Sequence, residues 1–511
     1  MAGKVYIIGA GPGDYKLLTI KAAEVIKKSD VIVYDRLIDS NVLSFAGNGA
    51  EFVYVGKQPQ HHPVPQSEIN ELLAKYAREG KTVARVKGGD PFLFGRGGEE
   101  CEFLRKNDIE FEVVPGITSS IAVPAYAGIP VTHRDYASSL HIITGHHSED
   151  KERADNSDNS QLSDFETLAK QKGTLVFLMG IKNIGEISRG LIKAGKAFDT
   201  PVAVIENGAK PEQRVITGIL RDITEKCQQY KVKSPAVIVV GEVVKLSENL
   251  CWHGKGVLSG KRVIVTRPVG QSEALVKGLE EQGAHVIEFP VIKITELPVD
   301  NKLEAVLNRM EIYNWIIFTS VNGVDIFFKQ LGQLKFDIRK LFGLKIAVVG
   351  SATEKALNSK GLYADYIPEK YSTNDLLLGL LKKIDSSDRI LIIDSALSRP
   401  ELTEGLKKSG IAFDEIAVYS TEPNKDIESR MDIFEPELER ADYITFTSPS
   451  AVKAFVDIMG KDRVKNLSSA VICIGPVTAN AAKQEGMSVT AVADQYNTEG
   501  IIEKIIEKNI E

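Results

Sequence analysis

Gly9, Gly11, Asp14 and Asp35 are the first residues of the chain whose types and spacing could do chemistry. The first three lie in VYIIGAGPGD (Val5–Asp14), an apolar strand running into a glycine-rich turn, and Asp35 ends the run VIVYD. A dinucleotide site needs G-x-G-x-x-G after a strand, with an acid about 20 residues further on. Gly9 and Gly11 fit the first two glycines, and Asp35 stands where the ribose-binding acid would. Asp14 replaces the third glycine. A carboxylate there repels a pyrophosphate and obstructs close helix packing, and Pro12 removes a backbone donor from a loop that must supply donors. Taken alone, the turn argues against phosphate and leaves its ligand open.

Metal chemistry finds less support. The pairs His61–His62 and His146–His147 have no Cys or carboxylate at ligand spacing, so polar loop roles are expected and no metal. Cys101, Cys227, Cys251 and Cys473 form no CxxC, which speaks against structural zinc and a disulfide framework and fits the reduced cytoplasm.

The elements that must hold these residues fall into two blocks. The 511 residues suffice for roughly two to four domains. A hydrophobic fraction of 43% and a charged fraction of 26% are those of a soluble globular protein. The formal charge of −6 gives no general attraction to nucleic acid or an anionic membrane. No apolar run reaches the ~18–20 residues of a membrane span, and MAGKVYIIGAGPGD enters a strand almost at once, so no signal peptide is expected.

From Val5 to about Val244, the strands VYIIG, VIVYD, EFVYVG, TVARVKG and FEVVPG alternate with helical segments. Ser67–Arg78 carries Ile69, Leu72, Leu73, Tyr76 and Ala77 on one helical face. A mostly parallel sheet with helical crossovers is predicted, then a second α/β subdomain with a mixed sheet after Pro130. The polar stretch Ser148–Gln161 reads as an exposed loop, and Leu246–Gly260 as a linker. In the second block Trp315–Phe328 echoes Tyr443–Phe455, and Ile346–Leu357 echoes Val471–Ala482. Two similar α/β subdomains would produce this, although strand–turn–helix units also resemble one another in general.

The motifs GAGPGD, YDRL (Tyr34–Leu37), VGKQPQHHPVPQSEIN (Val55–Asn70) and VARVKGGDPFLFGRGGEE (Val83–Glu100) occur in order. They are followed by PGITSSIAVPAYAGIPVTHRD (Pro115–Asp135) and PVAVIENGAKPEQRVITG (Pro201–Gly218). With them, Val5–Val244 resembles S-adenosylmethionine-dependent uroporphyrinogen-III C-methyltransferase. The resemblance implies a tetrapyrrole-methylase fold of two α/β subdomains over residues 1–245. It places donor contacts on Pro12, Gly88, Gly89, Asp90, Leu93, Thr118, Ser119, Met179 and Gly208. Without it, each glycine could be a plain turn and Met179 plain core. By the same resemblance Asp35 is the proton acceptor and Lys57 the proton donor, against roles as a strand-end cap or surface ion pair. The acceptor carries eight carboxylates, which arginine pairs hold best. Arg36, Arg85, Arg96 and Arg134, with Lys87, are the candidates.

Residues 261–511 carry VTRP (Val265–Pro268), FTSVNGV (Phe318–Val324), VVGSAT (Val348–Thr353), AVYST (Ala417–Thr421), FTSPSAV (Phe446–Val452) and IGPVTA (Ile474–Ala479). In this order they resemble uroporphyrinogen-III synthase. That implies two α/β lobes, 261–292 plus 422–511 and 293–421, with a cleft between them and no cofactor. Ser320, Thr353, Thr447, Ser448 and Thr478 stand in turns after strands. There they could bind substrate carboxylates, cap helices, or do both. Tyr419 is the candidate proton donor, against a core or hinge role.

Jointly the resemblances imply a bifunctional cytoplasmic enzyme, with residues 246–260 as linker. It would close hydroxymethylbilane to uroporphyrinogen III and methylate it at C2 and C7 to precorrin-2, for sirohaem or cobalamin. Its partners would be tetrapyrroles and a second copy bound through the methyltransferase domain, with no nucleic acid or membrane. An NAD-dependent oxidoreductase, prompted by the first turn, and a non-catalytic tetrapyrrole-binding regulator are the alternatives.

Overall fold

The computed structural model describes residues 3–35, 38–47, 49–56, 64–145, 164–268, 270–370, 372–397, 400–428 and 430–511. The chain forms four five-stranded sheets, each flanked by helices, and the fourth is inserted between the second and third strands of the third in chain order.

The first sheet contains β1 (Lys4–Gly9), β2 (Val31–Tyr34), β3 (Glu51–Tyr54), β4 (Val83–Lys87) and β5 (Glu110–Val114). Its order is β3-β2-β4-β1-β5, and every pairing is parallel. The central strands are continuous apolar runs because helices cover both faces. Val5, Ile7, Ile8 and Val31–Val33 are fully buried, each such side chain contributing about 1.5–3 kcal/mol. The helix forecast from Ser67 spans Gln66–Arg78 and buries Ile69, Leu73, Tyr76 and Ala77. Since all five strands run the same way, their carboxyl ends meet at one edge, where parallel sheets hold ligands.

The second sheet contains β6 (Leu140–Thr144), β7 (Thr174–Leu178), β8 (Pro201–Glu206), β9 (Arg214–Ile219) and β10 (Ala236–Val240). Its order is β6-β7-β10-β8-β9, with β6–β7 parallel and the other pairs antiparallel. It is the mixed sheet expected after Pro130. The stretch Ser148–Gln161 lies outside the described residues.

Beyond it, β11 (Arg262–Val265), β12 (His285–Glu288), β18 (Tyr443–Phe446), β19 (Ala470–Cys473) and β20 (Val489–Val492) form a parallel sheet ordered β12-β11-β18-β19-β20. The fourth sheet, ordered β13-β17-β16-β14-β15, holds β13 (Ile292–Glu296), β14 (Trp315–Phe318), β15 (Lys345–Val348), β16 (Arg389–Ser395) and β17 (Ala412–Pro423). The chain passes between these lobes twice. At the crossing Asn424 donates from its backbone N–H to Val291 O (2.9 Å) and from Nδ2 to Pro290 O (2.8 Å). Antiparallel pairing of Ile292 with Pro423 puts Ile292 and Glu422–Pro423 in the second lobe's sheet rather than the first. The echo seen in sequence corresponds to β14 with the Val321–Gln333 helix and β18 with the Pro449–Met459 helix, each capped by a serine.

The linker is docked, not free. Leu258 is fully buried in the core of the C-terminal half, and Trp252 and His253 pack against Tyr126 of the N-terminal half. The halves also touch directly. Asn41 Nδ2 donates to Val286 O at 2.9 Å, Arg262 pairs with Glu212, and the Arg430 guanidinium covers the Phe52 ring at 4.8 Å. Among the described residues no helix is long and apolar enough to cross a membrane.

Candidate active sites

At the carboxyl edge of the first sheet the glycine turns of β1, β4 and β5 converge. Gly11 and Gly89 exchange backbone hydrogen bonds, N–H to O, at 3.2 and 2.7 Å. A Cβ on Gly9 would lie 2.6 Å from both Gly116 Cα and Gly89 O, so only glycine permits this approach. Asp90 fixes the junction: its Oδ2 accepts from Gly116 N (3.1 Å) and its Oδ1 from Phe92 N (2.8 Å). Thr118 caps the Ser119–Tyr126 helix, whose Ser119 N faces Gly89. The second sheet closes the crevice. Gly208, after β8, abuts Val123 of that helix so closely that a Cβ would lie 2.2 Å from Val123 Cγ1, and Gly208 O lies beside Gly13. Met179 follows β7 in a left-handed conformation (φ 57°) and is 51% exposed, which excludes the plain core role. Pro12 and Leu93 are half-buried on the bordering turns.

Beneath this edge lies a buried charge network. Arg85 and Lys87 alternate on β4 and so share a face. That face meets Glu100 of the Gly97–Lys106 helix, which is 0% exposed. Glu100 Oε1 accepts from Lys87 Nζ (2.9 Å), Gln66 Nε2 (3.1 Å) and Arg85 Nε (3.2 Å). Its Oε2 is buried and accepts no hydrogen bond among the described residues. Arg85 Nη2 stands 3.5 Å from Asp35 Oδ2. Burial, with Arg85 as a second cause, pushes the Lys87 ammonium below its ordinary pKa against the pull of Glu100.

This placement revises one expectation. Arg85 is only 3% exposed, and its guanidinium serves Asp35 and Glu100 rather than a substrate carboxylate. Arg96 is exposed and forks onto Glu99 at 2.9 and 2.7 Å, while Arg134 is exposed on its loop. Lys57, Arg36 and both histidine pairs lie outside the described residues. Among the described residues no group of three or more His, Cys, Asp or Glu could hold a metal ion.

In the second half the candidate site lies where the carboxyl ends of β14, β16 and β17 meet the turn after β11. Ser320 caps the Val321–Gln333 helix, accepting from Gly323 N at 3.0 Å, and its Oγ lies 2.9 Å from Tyr419 Oη. Burial raises the Tyr419 pKa above the ordinary tyrosine value, although hydrogen bonds from Ser320, Asn322 and Ser395 oppose it. Ser448 caps its helix in the same way, accepting from Ala451 N at 3.2 Å, beside a half-buried Thr447. Thr353 and Thr478 lie in helix first turns and are 5% and 3% exposed, close to the 6% of Tyr419. Gln271 Nε2 reaches across the lobes to Asn322 Oδ1 at 2.6 Å.

Three residues were missed from sequence. Asp394 ends β16, accepts from Thr319 Oγ1 at 2.6 Å, and has a pKa raised by burial. Arg267, the arginine of VTRP, is half-buried with no carboxylate partner among the described residues, and burial lowers its pKa. A cation inside an apolar VIVTRP run was the available signal for it. Glu100, the hub of the buried network, was hidden in a helix that reads as ordinary surface charge.

Glycine turns at one parallel edge and a hydroxyl-lined cleft between two lobes define a fusion of two α/β enzymes. Comparison with known proteins identifies both. Residues 4–224 match the family model of tetrapyrrole (corrin/porphyrin) methylases, and residues 273–503 that of uroporphyrinogen-III synthase HemD. A porphyrin biosynthesis protein HemD from Ruminiclostridium josui is 41% identical over 99% of this chain and 98% of its own. An S-adenosyl-L-methionine-dependent uroporphyrinogen III methyltransferase from Methanosarcina barkeri is 52% identical over 50% of this chain and 97% of its own. A solved uroporphyrin-III C-methyl transferase from Thermus thermophilus, complexed with S-adenyl homocysteine, is 37% identical over 48% of this chain and 94% of that one, with a TM-score of 0.40. The chain belongs to the family of porphyrin-biosynthesis proteins that join a tetrapyrrole methylase domain to a HemD-type uroporphyrinogen-III synthase domain. Both domains belong to enzyme families.

Proposed function

We propose that the chain acts in the cytoplasm, closes hydroxymethylbilane to uroporphyrinogen III in residues 261–511, and methylates that product at C2 and C7 in residues 1–245, giving precorrin-2. The methyl donor would be S-adenosylmethionine, which supplies an electrophilic methyl group on a cationic sulfonium. The carrying observation is the edge where Gly9, Gly11, Gly89 and Gly116 bring bare backbone together beside Asp14 and Asp90. Backbone carbonyls and acids suit a cation without phosphate. The same acids disfavour the pyrophosphate of a pyridine dinucleotide.

In this reading Pro12, Gly88–Asp90, Leu93, Thr118, Ser119, Met179 and Gly208 border the donor. Asp35 accepts the proton that the methylated ring must lose, and Arg85 at 3.5 Å holds its carboxylate in place. Arg36, Arg96 and Arg134 are left to meet the macrocycle's carboxylates, and Lys57 keeps the proton-donor role. In the synthase, Arg267 holds a carboxylate of the bilane, and Ser320, Thr447 and Ser448 present hydroxyls at helix N-termini. Tyr419, protonated at neutral pH as tyrosines ordinarily are and with its pKa raised further by burial, gives its proton to the departing hydroxyl. A homodimer through the methyltransferase domain completes the reading.

The test incubates the protein with hydroxymethylbilane and S-adenosylmethionine and follows products by mass spectrometry. Two added methyl groups on a cyclic type III product are expected. Tight NADH binding without donor binding would overturn the reading.

A further inference from the structure

We propose that Glu280 of the synthase half and Trp252 of the joining segment are positioning residues for the methyl-donor turn Gly11–Asp14. The proposal rests on the reading that this turn borders the donor.

The turn is intrinsically loose. Gly11 and Gly13 hold φ of 80° and 151°, and glycines lose more conformational freedom on ordering than other residues. A strut from outside the methylase sheet grips each flank. On one side Asp14 Oδ2 accepts from Tyr126 Oη at 2.7 Å, while Asp14 Oδ1 accepts from Lys16 N at 2.9 Å. Tyr126 is itself pinned, its ring centroid lying 4.9 Å from those of both Trp252 and His253. Trp252 Nε1 donates to Ala125 O at 3.0 Å, tying the linker to the end of the Ser119–Tyr126 helix. Beside them, the Lys210 side chain lies against Gly13.

On the other side one carboxylate holds the two residues that follow Asp14. Tyr15 Oη donates to Glu280 Oε1 at 2.8 Å, and Lys16 Nζ donates to Glu280 Oε2 at 2.5 Å. Burial and then this bond raise the Tyr15 pKa. Glu280 projects from the Glu273–Glu281 helix of the synthase half. Ordering a glycine turn when a ligand arrives costs affinity, and a turn ordered beforehand avoids that cost. Neither Glu280 nor Trp252 belongs to the turn. Both act through Tyr15, Lys16 and Tyr126, so their effect falls on donor affinity and not on the methyl-transfer step.

The experiment titrates the full chain with S-adenosylhomocysteine by calorimetry and measures steady-state methylation, with bilane cyclisation as an internal control. Glu280→Ala and Trp252→Ala are expected to raise Kd and the donor KM about five-fold or more, the lower end of couplings between sites. Trp252→Phe, which keeps the ring contact, stays near wild type, and kcat and cyclisation hold in all variants. Affinities within about two-fold of wild type in both alanine variants overturn the proposal. Should Glu280→Ala also lose cyclisation, Glu280→Gln, which keeps shape and removes charge, decides by the same Kd. A wild-type chain that binds no S-adenosylhomocysteine overturns the donor-site reading itself.

Discussion

In the methylase half the reactive edge is backbone: glycines at 9, 11, 89 and 116 come within contact, and the arginine and lysine beneath are buried and paired on Glu100. In the synthase half the candidate site is side chain: Ser320 Oγ lies against Tyr419 Oη, Thr447 is half-buried, and Arg267 keeps its charge unpaired among the described residues. On the proposed function, the difference follows from what each half would hold. A small cationic donor calls for close approach and a fixed orientation, which bare backbone on a rigid sheet provides. A long, flexible polycarboxylate calls for hydroxyls and an available cation on lobes that can adjust. One half holds its charges to build the site, and the other leaves a charge free to bind.

Four experiments would break or sharpen that contrast. The largest effect is expected at Glu100. Glu100→Ala removes the carboxylate that Lys87 donates to, leaves Arg85 only Asp35, and should destabilise the methylase half by about 3–5 kcal/mol. Urea unfolding would measure it, with methylation lost and cyclisation kept. Tyr419→Phe should slow cyclisation about 100-fold, the lower end for loss of a general acid, and leave methylation of supplied uroporphyrinogen III unchanged. An unaltered cyclisation rate would strip Tyr419 of the proton-donor role. Arg267→Gln should raise the KM for the bilane about ten-fold, because one charge-assisted contact is lost. A loss of folding stability instead would mean that Arg267 is paired and structural, and the contrast between the halves would fail.

The smallest effects concern two acids whose pKa values move in opposite directions. Burial raises that of Asp39, at the contact with the synthase half, despite His285 nearby. The folded state therefore takes up protons there, and its stability falls as pH rises through the raised value. Asp414 shifts down: burial opposes this, but hydrogen bonds from Tyr313 and Arg389 win. Its contribution is present above the ordinary aspartate pKa and lost as pH falls through the lowered value. Asp39→Asn should thus gain stability with rising pH. Asp414→Asn should lose about 0.2–1 kcal/mol at neutral pH, a loss that vanishes in acid. Denaturation at several pH values separates the two, and equal signs would refute the assignment.

Much of the architecture was legible because strand and crossover patterns are local. The run VYIIG reads as a buried parallel strand, and Asp14 with Pro12 argues against phosphate before any coordinates are seen. The serines of FTS could be named as caps, and Ser320 and Ser448 do cap their helices. Arg85 was misjudged because a strand residue's facing depends on what covers it. Its partner Glu100 lies 15 residues away on a helix whose burial no local pattern discloses.

The sequence by itself determined four α/β units, their order, the two families they resemble, and the turns in which chemistry could sit. These follow from hydrophobic period, glycine placement and short-range capping, which act over a few residues. Only the tertiary structure decided which charges are enclosed and which remain available, that the linker is docked, and that Glu280 reaches Tyr15 and Lys16 from the other half. Those facts depend on desolvation and on contacts between residues far apart in the chain. The same arginine is a ligand-binding group when exposed and a structural one once a buried carboxylate covers it.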